Sequence, residues 1–168
     1  AGAAEQAEAG NLAQDVVVGA THLRVEAGIR GDAVDHAPAE AGADLVDLNF
    51  GCPVRKVTKT GAGATILQDP DRACRIVEAI TGAIDLPVTV KMRRGVRDGS
   101  RDCLVAGPRL VDAGASALTL HPRSAVQMYT GTADHALTAE LVSLVDVPVI
   151  ASGDVTSRAR AQAVLATT

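Results

Sequence analysis

Five short runs of aliphatic and β-branched residues, at 15–18, 44–49, 87–92, 117–121 and 148–151, alternate with stretches of helical character, which restricts the chain to parallel βα units. Parallel strands need a crossover between them, and the intervening segments are long enough to supply one. Asp85-Leu86-Pro87-Val88-Thr89-Val90 and Asp146-Val147-Pro148-Val149-Ile150-Ala151 repeat one phrase, with Pro at a strand's first position, where a missing N–H is tolerated. Ala41-Gly42-Ala43 and Ala113-Gly114-Ala115 place Gly at a helix end just before the next strand. Helices are expected at 71–83, where Asp69-Pro70-Asp71 makes a start and Ile76, Val77 and Ile80 form one stripe, and at 133–144. A last helix begins near Ser157, with Ala163, Val164 and Leu165 as its apolar residues. Two segments are expected to be irregular or kinked: 19–41, which holds Gly28, Gly31 and Pro38, and 102–112, which holds Gly107-Pro108.

A chain of 168 residues with 47% hydrophobic content is sized for one domain with a core. One Phe, one Tyr and no Trp argue against a general single-strand binder, which stacks bases on aromatic rings. The net charge of -4 gives no global pull toward nucleic acid. Basic residues nevertheless cluster after two strands, as Arg55, Lys56 and Lys59 and as Arg93, Arg94, Arg97 and Arg101, and either cluster reads as a local positive face or as a solvated loop. Cys52, Cys74 and Cys103 are too widely spaced for a metal knuckle, so the sequence predicts no metal and reduced thiols in a cytoplasmic protein. No run approaches the ~20 apolar residues of a membrane span. Residues 1–14 are expected to be a poorly ordered tail without a secretory signal, and 15–168 the folded domain.

Chemistry concentrates where strands end. Asn49-Phe50-Gly51-Cys52-Pro53 sets a cysteine at the end of an apolar run and before the glycine-rich basic loop 54–63. A free thiol has a reference pKa of roughly 8.5, so at neutral pH it can donate a proton as readily as it can act as a nucleophile. Lys91 and Arg93 follow the next strand, His121 and Arg123 the one after it, and Ser152-Gly153-Asp154 the last. Adjacent parallel strands would bring these groups to one rim, as in a TIM barrel. Taken singly, each has an ordinary reading: a core thiol, a snorkelling lysine, a hydrogen-bonded histidine, a turn with a helix cap.

At this point the chain resembles the tRNA-dihydrouridine synthases. The similar residues are Asp47-Leu48-Asn49-Phe50-Gly51-Cys52-Pro53, the loop from Lys56 to Gly63, Leu67-Gln68-Asp69-Pro70, Pro87-Val88-Thr89-Val90-Lys91-Met92-Arg93, Leu118-Thr119-Leu120-His121-Pro122-Arg123, Tyr129-Thr130-Gly131 and Pro148-Val149-Ile150-Ala151-Ser152-Gly153-Asp154. The resemblance implies an FMN-dependent TIM barrel in which NADPH or NADH reduces the flavin, the flavin passes hydride to C6 of a flipped-out uracil of tRNA, and a cysteine protonates C5. Cys52 matches that acid, and Lys91, His121 and Ser152-Gly153-Asp154 match flavin contacts. Asn49 and Arg123 match positions facing the uracil or its nucleotide, while Arg55, Lys56 and Lys59 lie where flanking phosphates would pass. The chain departs from the family pattern at Val16, where members usually carry Gln, and at Ser152, where Asn is common. A whole barrel takes about 250 residues and eight strands, so the expectation is a partial TIM (β/α)8 barrel of about five parallel βα units. Two other readings stay open: another FMN barrel such as a dihydroorotate dehydrogenase, and a non-catalytic half-barrel. The oligomeric state is left open.

Overall fold

The structure is a computed structural model that describes residues 22–25 and 43–168. In chain order the elements are β1 (His22–Val25), β2 (Leu45–Phe50), α1 (Arg55–Thr58), a 3-10 helix (Gly63–Gln68), α2 (Pro70–Thr81), β3 (Val88–Gly95), α3 (Asp102–Asp112), β4 (Ala117–Ser124), α4 (His135–Val142), β5 (Val149–Ala151) and α5 (Arg158–Thr167). The strands form one 5-stranded sheet in the order β1-β2-β3-β4-β5, every neighbouring pair parallel. Sequential parallel order with a helix in each crossover from β2 to β5 is the architecture of a partial TIM (β/α)8 barrel.

Alternation along the strands divides the sheet into two unlike faces. Val46, Leu48 and Phe50 of β2, Val90 and Met92 of β3, and Leu118 and Leu120 of β4 are buried in one cluster with Ile76, Val77 and Ile80 of α2, Ala106 and Leu110 of α3, and Leu137 and Leu141 of α4. Register sets Asn49 beside Lys91, Lys91 beside Thr119 and Thr119 beside Ile150 on the other face, which is only partly covered. The covered face supplies the apolar burial, and the other carries the polar groups.

The helix and strand starts follow their residues. The Asp69 carboxylate accepts the Arg72 N–H while Pro70 occupies the first turn of α2, and the Ser157 hydroxyl accepts the Arg160 N–H to begin α5. The carbonyls of Pro87 and Pro148 accept the N–H groups of Val46 and Leu118, so each proline joins the ladder through the one group it has. Gly114, at φ +107, ends α3 where the sequence places it.

Three expectations change. The strand expected at 15–18 lies outside the described residues, whereas His22–Val25 forms β1 inside the segment expected to be irregular. Its main chain pairs with Leu45–Leu48, and pairing at a sheet edge does not need a long apolar run. The helix expected to break at Gly107-Pro108 runs through as α3. A proline inside a helix costs ~3 kcal/mol, comparable with the ~1.5–3 kcal/mol from burying one large aliphatic side chain, and α3 buries Cys103, Ala106 and Leu110 together. Gly107 is part of that packing, since a Cβ there would stand 2.5 Å from a methyl of Leu141. In α5, Val164 alone of the three expected apolar residues is buried, and Leu165 is 75% exposed. Among the described residues no helix is long and apolar enough to cross a membrane.

Candidate active site

Cys52 leaves β2 in a turn that is fixed from three directions. The Asn49 side-chain oxygen accepts the Gly51 N–H at 3.1 Å, the Gly51 carbonyl accepts the Arg93 Nε–H at 3.1 Å, and the Cys52 carbonyl accepts the Ala64 N–H at 3.0 Å. Gly63, at φ +59, crosses so close that a Cβ would stand 2.4 Å from the Cys52 carbonyl oxygen, which leaves glycine as the residue that fits. The thiol is free and part-exposed, whereas Cys103 is buried and its thiol is pushed up to about 12, burial being the main cause. Cys74 is part-exposed on the helix side, its sulfur 3.5 Å from the Arg109 carbonyl. Of the cysteines, then, Cys52 is the one set at the strand ends.

Arg93 joins the Cys52 turn to the loop after β4. It is 3% exposed and donates also to the carbonyls of Ser124 at 3.0 Å and Met128 at 2.7 Å, with its guanidinium carbon 5.4 Å from the centre of the Tyr129 ring. Burial lowers its pKa, with Tyr129 opposing, but a guanidinium stays charged in proteins.

His121, Arg123 and Asp154 form a second buried group. One Arg123 terminal nitrogen lies 3.3 Å from His121 Nε2, while the other reaches the two Asp154 oxygens at 2.7 and 2.9 Å and the Gly131 carbonyl at 2.8 Å. Its Nε–H donates to Thr130 O at 3.1 Å. Arginine has no acceptor, so His121 Nε2 must accept, and the neutral ring carries its proton on Nδ1. Burial, followed by Arg93, Arg123 and Lys91, pushes the His121 pKa down to about 4 against the opposing charge of Asp154. Asp154 is held below the usual carboxylate range; burial alone would raise it, but the Ala133 N–H and Arg123 prevail.

The sign of the pH dependence follows. An unfolded histidine titrates near 6.5, and the folded ring resists protonation until about 4, so the unfolded state binds more protons across that window. Stability is therefore expected to fall as pH drops from 6.5 toward 4, by on the order of 2 kcal/mol once solvent at the rim is allowed for. Urea unfolding across this range checks it, and His121→Gln should flatten the slope. An equal slope in that variant would remove His121 as the source.

Ser152-Gly153-Asp154 turns away from β5 with Gly153 at φ +98 and Asp154 at φ +58. The Ser152 N–H donates to Leu120 O, the Gly153 carbonyl accepts from His135 Nε2 at 2.8 Å, and the Asp154 carboxylate accepts the Ala133 N–H at 2.7 Å. Protein groups thus hold the Gly153 carbonyl and the Asp154 side chain, while the N–H groups of Gly153 and Asp154 have no acceptor among the described residues. With the His121 Nδ1–H, and with Lys91 close enough for its charge to act on His121, they make a polar rim suited to an electron-rich ligand. No group of His, Cys, Asp and Glu able to hold a metal occurs among the described residues.

The two basic stretches part company. Arg55 and Lys56 on α1, and Lys59 capping it, are exposed and make no ion pair among the described residues. In the second stretch Arg93 is internal, Arg94 bonds Ser100 O and lies 3.6 Å from Asp134, and Arg101 pairs with Glu140, so the positive face expected there is mostly committed to the protein itself. Sequence reasoning also missed His135, which carries no motif signal, and it read Arg93 as loop charge where the structure makes it a buried brace.

Parallel strands that gather a thiol, cations and N–H donors at their C-terminal ends place this chain among barrels that build one site from successive loops. The chain belongs to the dihydrouridine synthase (Dus) family, whose profile matches residues 32–168. It is 42% identical over 127 residues to a probable tRNA-dihydrouridine synthase of Rhodobacter capsulatus, a match covering 76% of this chain and 39% of that protein. It is 44% identical over 126 residues to a probable tRNA-dihydrouridine synthase 1 of Synechocystis, covering 75% of this chain and 35% of the relative. Against tRNA-dihydrouridine synthase B of Pseudomonas putida it is 38% identical over 136 residues, 81% of this chain and 40% of the other. The chain therefore spans 35% to 40% of the length of these curated relatives. Family membership sets aside the dihydroorotate dehydrogenase reading.

Proposed function

We propose that this chain carries the acid and part of the flavin site of a tRNA-dihydrouridine synthase, an oxidoreductase that reduces uridine in tRNA to 5,6-dihydrouridine with FMN and with NADPH or NADH as reductant. The observation that supports it best is the braced, part-exposed Cys52 on the same rim as Lys91 and His121. When bound, FMN supplies the hydride that reaches C6 of the uracil. Cys52 Sγ–H gives the proton to C5 and needs no partner base, since its task is donation. Lys91 and the neutral His121 would hold the flavin, Lys91 by its positive charge and His121 by its Nδ1–H. Gly153 and Asp154 complete the flavin side through main-chain N–H groups, and Ser152, whose N–H is taken by Leu120 O, through its hydroxyl.

On the substrate side, the Asn49 oxygen is engaged by Gly51, which leaves its amide N–H groups for a uracil carbonyl. Arg123 serves that side through the loop it holds, by its bonds to Thr130 O and Gly131 O. Arg55, Lys56 and Lys59 then meet phosphates flanking an everted uridine. Replacing those three by Gln is expected to weaken tRNA binding and to flatten its dependence on salt by up to ~0.7–0.9 in log–log slope for each phosphate that is no longer neutralised. Filter binding of an unmodified tRNA transcript across a salt series reads this directly, and a slope equal to the parent's would defeat the RNA assignment of these residues.

A further inference from the structure

His135 stands at the first turn of α4, outside the strand ends and outside every residue given a role above. Its Nε2 lies 2.8 Å from the Gly153 carbonyl, and its Nδ1 lies 3.4 Å from the hydroxyl of Thr138, which is fully buried. A carbonyl can only accept, so Nε2 carries the proton, and the Thr138 hydroxyl faces the lone pair of Nδ1. The Gly153 carbonyl belongs to the same planar trans peptide as the Asp154 N–H, and in such a unit the two bonds point in opposite directions. Fixing the carbonyl toward α4 therefore turns the Asp154 N–H away from α4.

The turn needs such a hold. Asp154 is one of only two non-glycine residues with positive φ among those described, a conformation that costs an L-residue roughly 1–2 kcal/mol. Three contacts keep it: His135 of α4 on the Gly153 carbonyl, and the Ala133 N–H, just before α4, and Arg123 of β4 on the Asp154 carboxylate. Only the first acts on the peptide whose N–H faces away from the helix.

We propose that His135 is a positioning residue for flavin binding: its bond to the Gly153 carbonyl aims the Asp154 N–H at an acceptor atom of the isoalloxazine ring or the ribityl chain. This rests on the FMN reading and adds a residue to it. The test titrates the full-length protein that carries this chain with FMN and with riboflavin, reading the quenching of flavin fluorescence and the absorption band of the bound flavin. His135→Phe keeps an aromatic ring without a donor and is expected to weaken both ligands by the same factor, ~3–10-fold, the usual worth of one hydrogen bond, and to shift the bound band. His135→Gln, which can still present an N–H, should bind within about twofold of the parent, as expected when the donor alone is restored. His135→Asn is too short to reach, and should resemble Phe; comparing Gln with Asn decides the matter if the Phe variant does not fold.

Equal affinity and an unchanged band in the Phe and Asn variants would overturn the assignment while leaving the FMN reading intact. A loss confined to FMN would overturn it as well, by moving the contact to the phosphate. Failure of the full-length parent protein to bind either flavin would remove the FMN reading together with this one.

Discussion

In the full-length protein, the proposed function makes Cys52→Ala leave flavin binding and the oxidation of NADPH by the flavin close to the parent's, while uridine reduction in tRNA falls by ~10²–10⁴-fold, the usual range for losing a general acid. The split arises because the thiol reaches its place through main-chain bonds: the Asn49 side chain holds Gly51 N–H, Arg93 holds Gly51 O, and Ala64 N–H holds Cys52 O. None of these involves the sulfur, so the variant is expected to keep the turn and lose only the thiol. Single-turnover kinetics with pre-reduced flavin isolate the step from cofactor reduction. Cys52→Ser, with a hydroxyl of much higher pKa, should recover little of the rate. Uridine reduction at the parent's rate in the alanine variant would take Cys52 out of the chemistry.

The largest effect on stability is expected at Arg123. Its guanidinium is 6% exposed against 28% for its Asp154 partner, and it holds the carbonyls of Thr130 and Gly131 besides. Removing one partner of a buried pair typically costs ~3–5 kcal/mol, and Asp154 keeps the Ala133 N–H, so Arg123→Ala should sit at the low end, about 3 kcal/mol. Asp154→Asn alone should cost less, because the amide oxygen still accepts hydrogen bonds. The double variant should fall short of the sum by ~0.5–3 kcal/mol, the coupling expected of groups in direct contact. Urea unfolding of the four proteins gives the cycle, and a cost below about 1 kcal/mol for Arg123→Ala would show the pair to be no more than a surface contact.

How much of this was legible in the sequence depended on how local the cause was. Strands β2 to β5 could be read because the apolar runs, the two Asp-x-Pro phrases and the glycines between units act within a few residues of where they stand. The start of α2 was equally plain, since Asp69 and Pro70 cap it from next door. The unbroken α3 was not: whether Pro108 ends a helix depends on what Cys103, Ala106 and Leu110 bury and on Leu141 sitting against Gly107, all decided across the fold. The same division runs through the site. Cys52 and Ser152-Gly153-Asp154 could be picked out because each follows a strand, whereas Lys91 and His121, expected at strand ends, lie inside β3 and β4. That Arg93 braces the Cys52 turn, that Arg123 commits its guanidinium to Asp154, and that His135 reaches Gly153 are pairings between distant parts of the chain, which no spacing reports.

The unbroken order of the sheet also bears on how the protein is made. In β1-β2-β3-β4-β5 each strand from β2 onward pairs with the described strand synthesised before it, so none of these four pairings waits for a partner from far along the chain. A ribosome releases residues at roughly 5–20 per second, far slower than helix formation or loop closure, so each βα unit has time to dock before the next appears. The sheet then grows by accretion at one side, and the strand added last is always the template for the next. During synthesis the exposed edge moves from β2 to β3 to β4 to β5, and the stage most open to capture by a chaperone or another nascent chain is whichever strand has emerged without its successor.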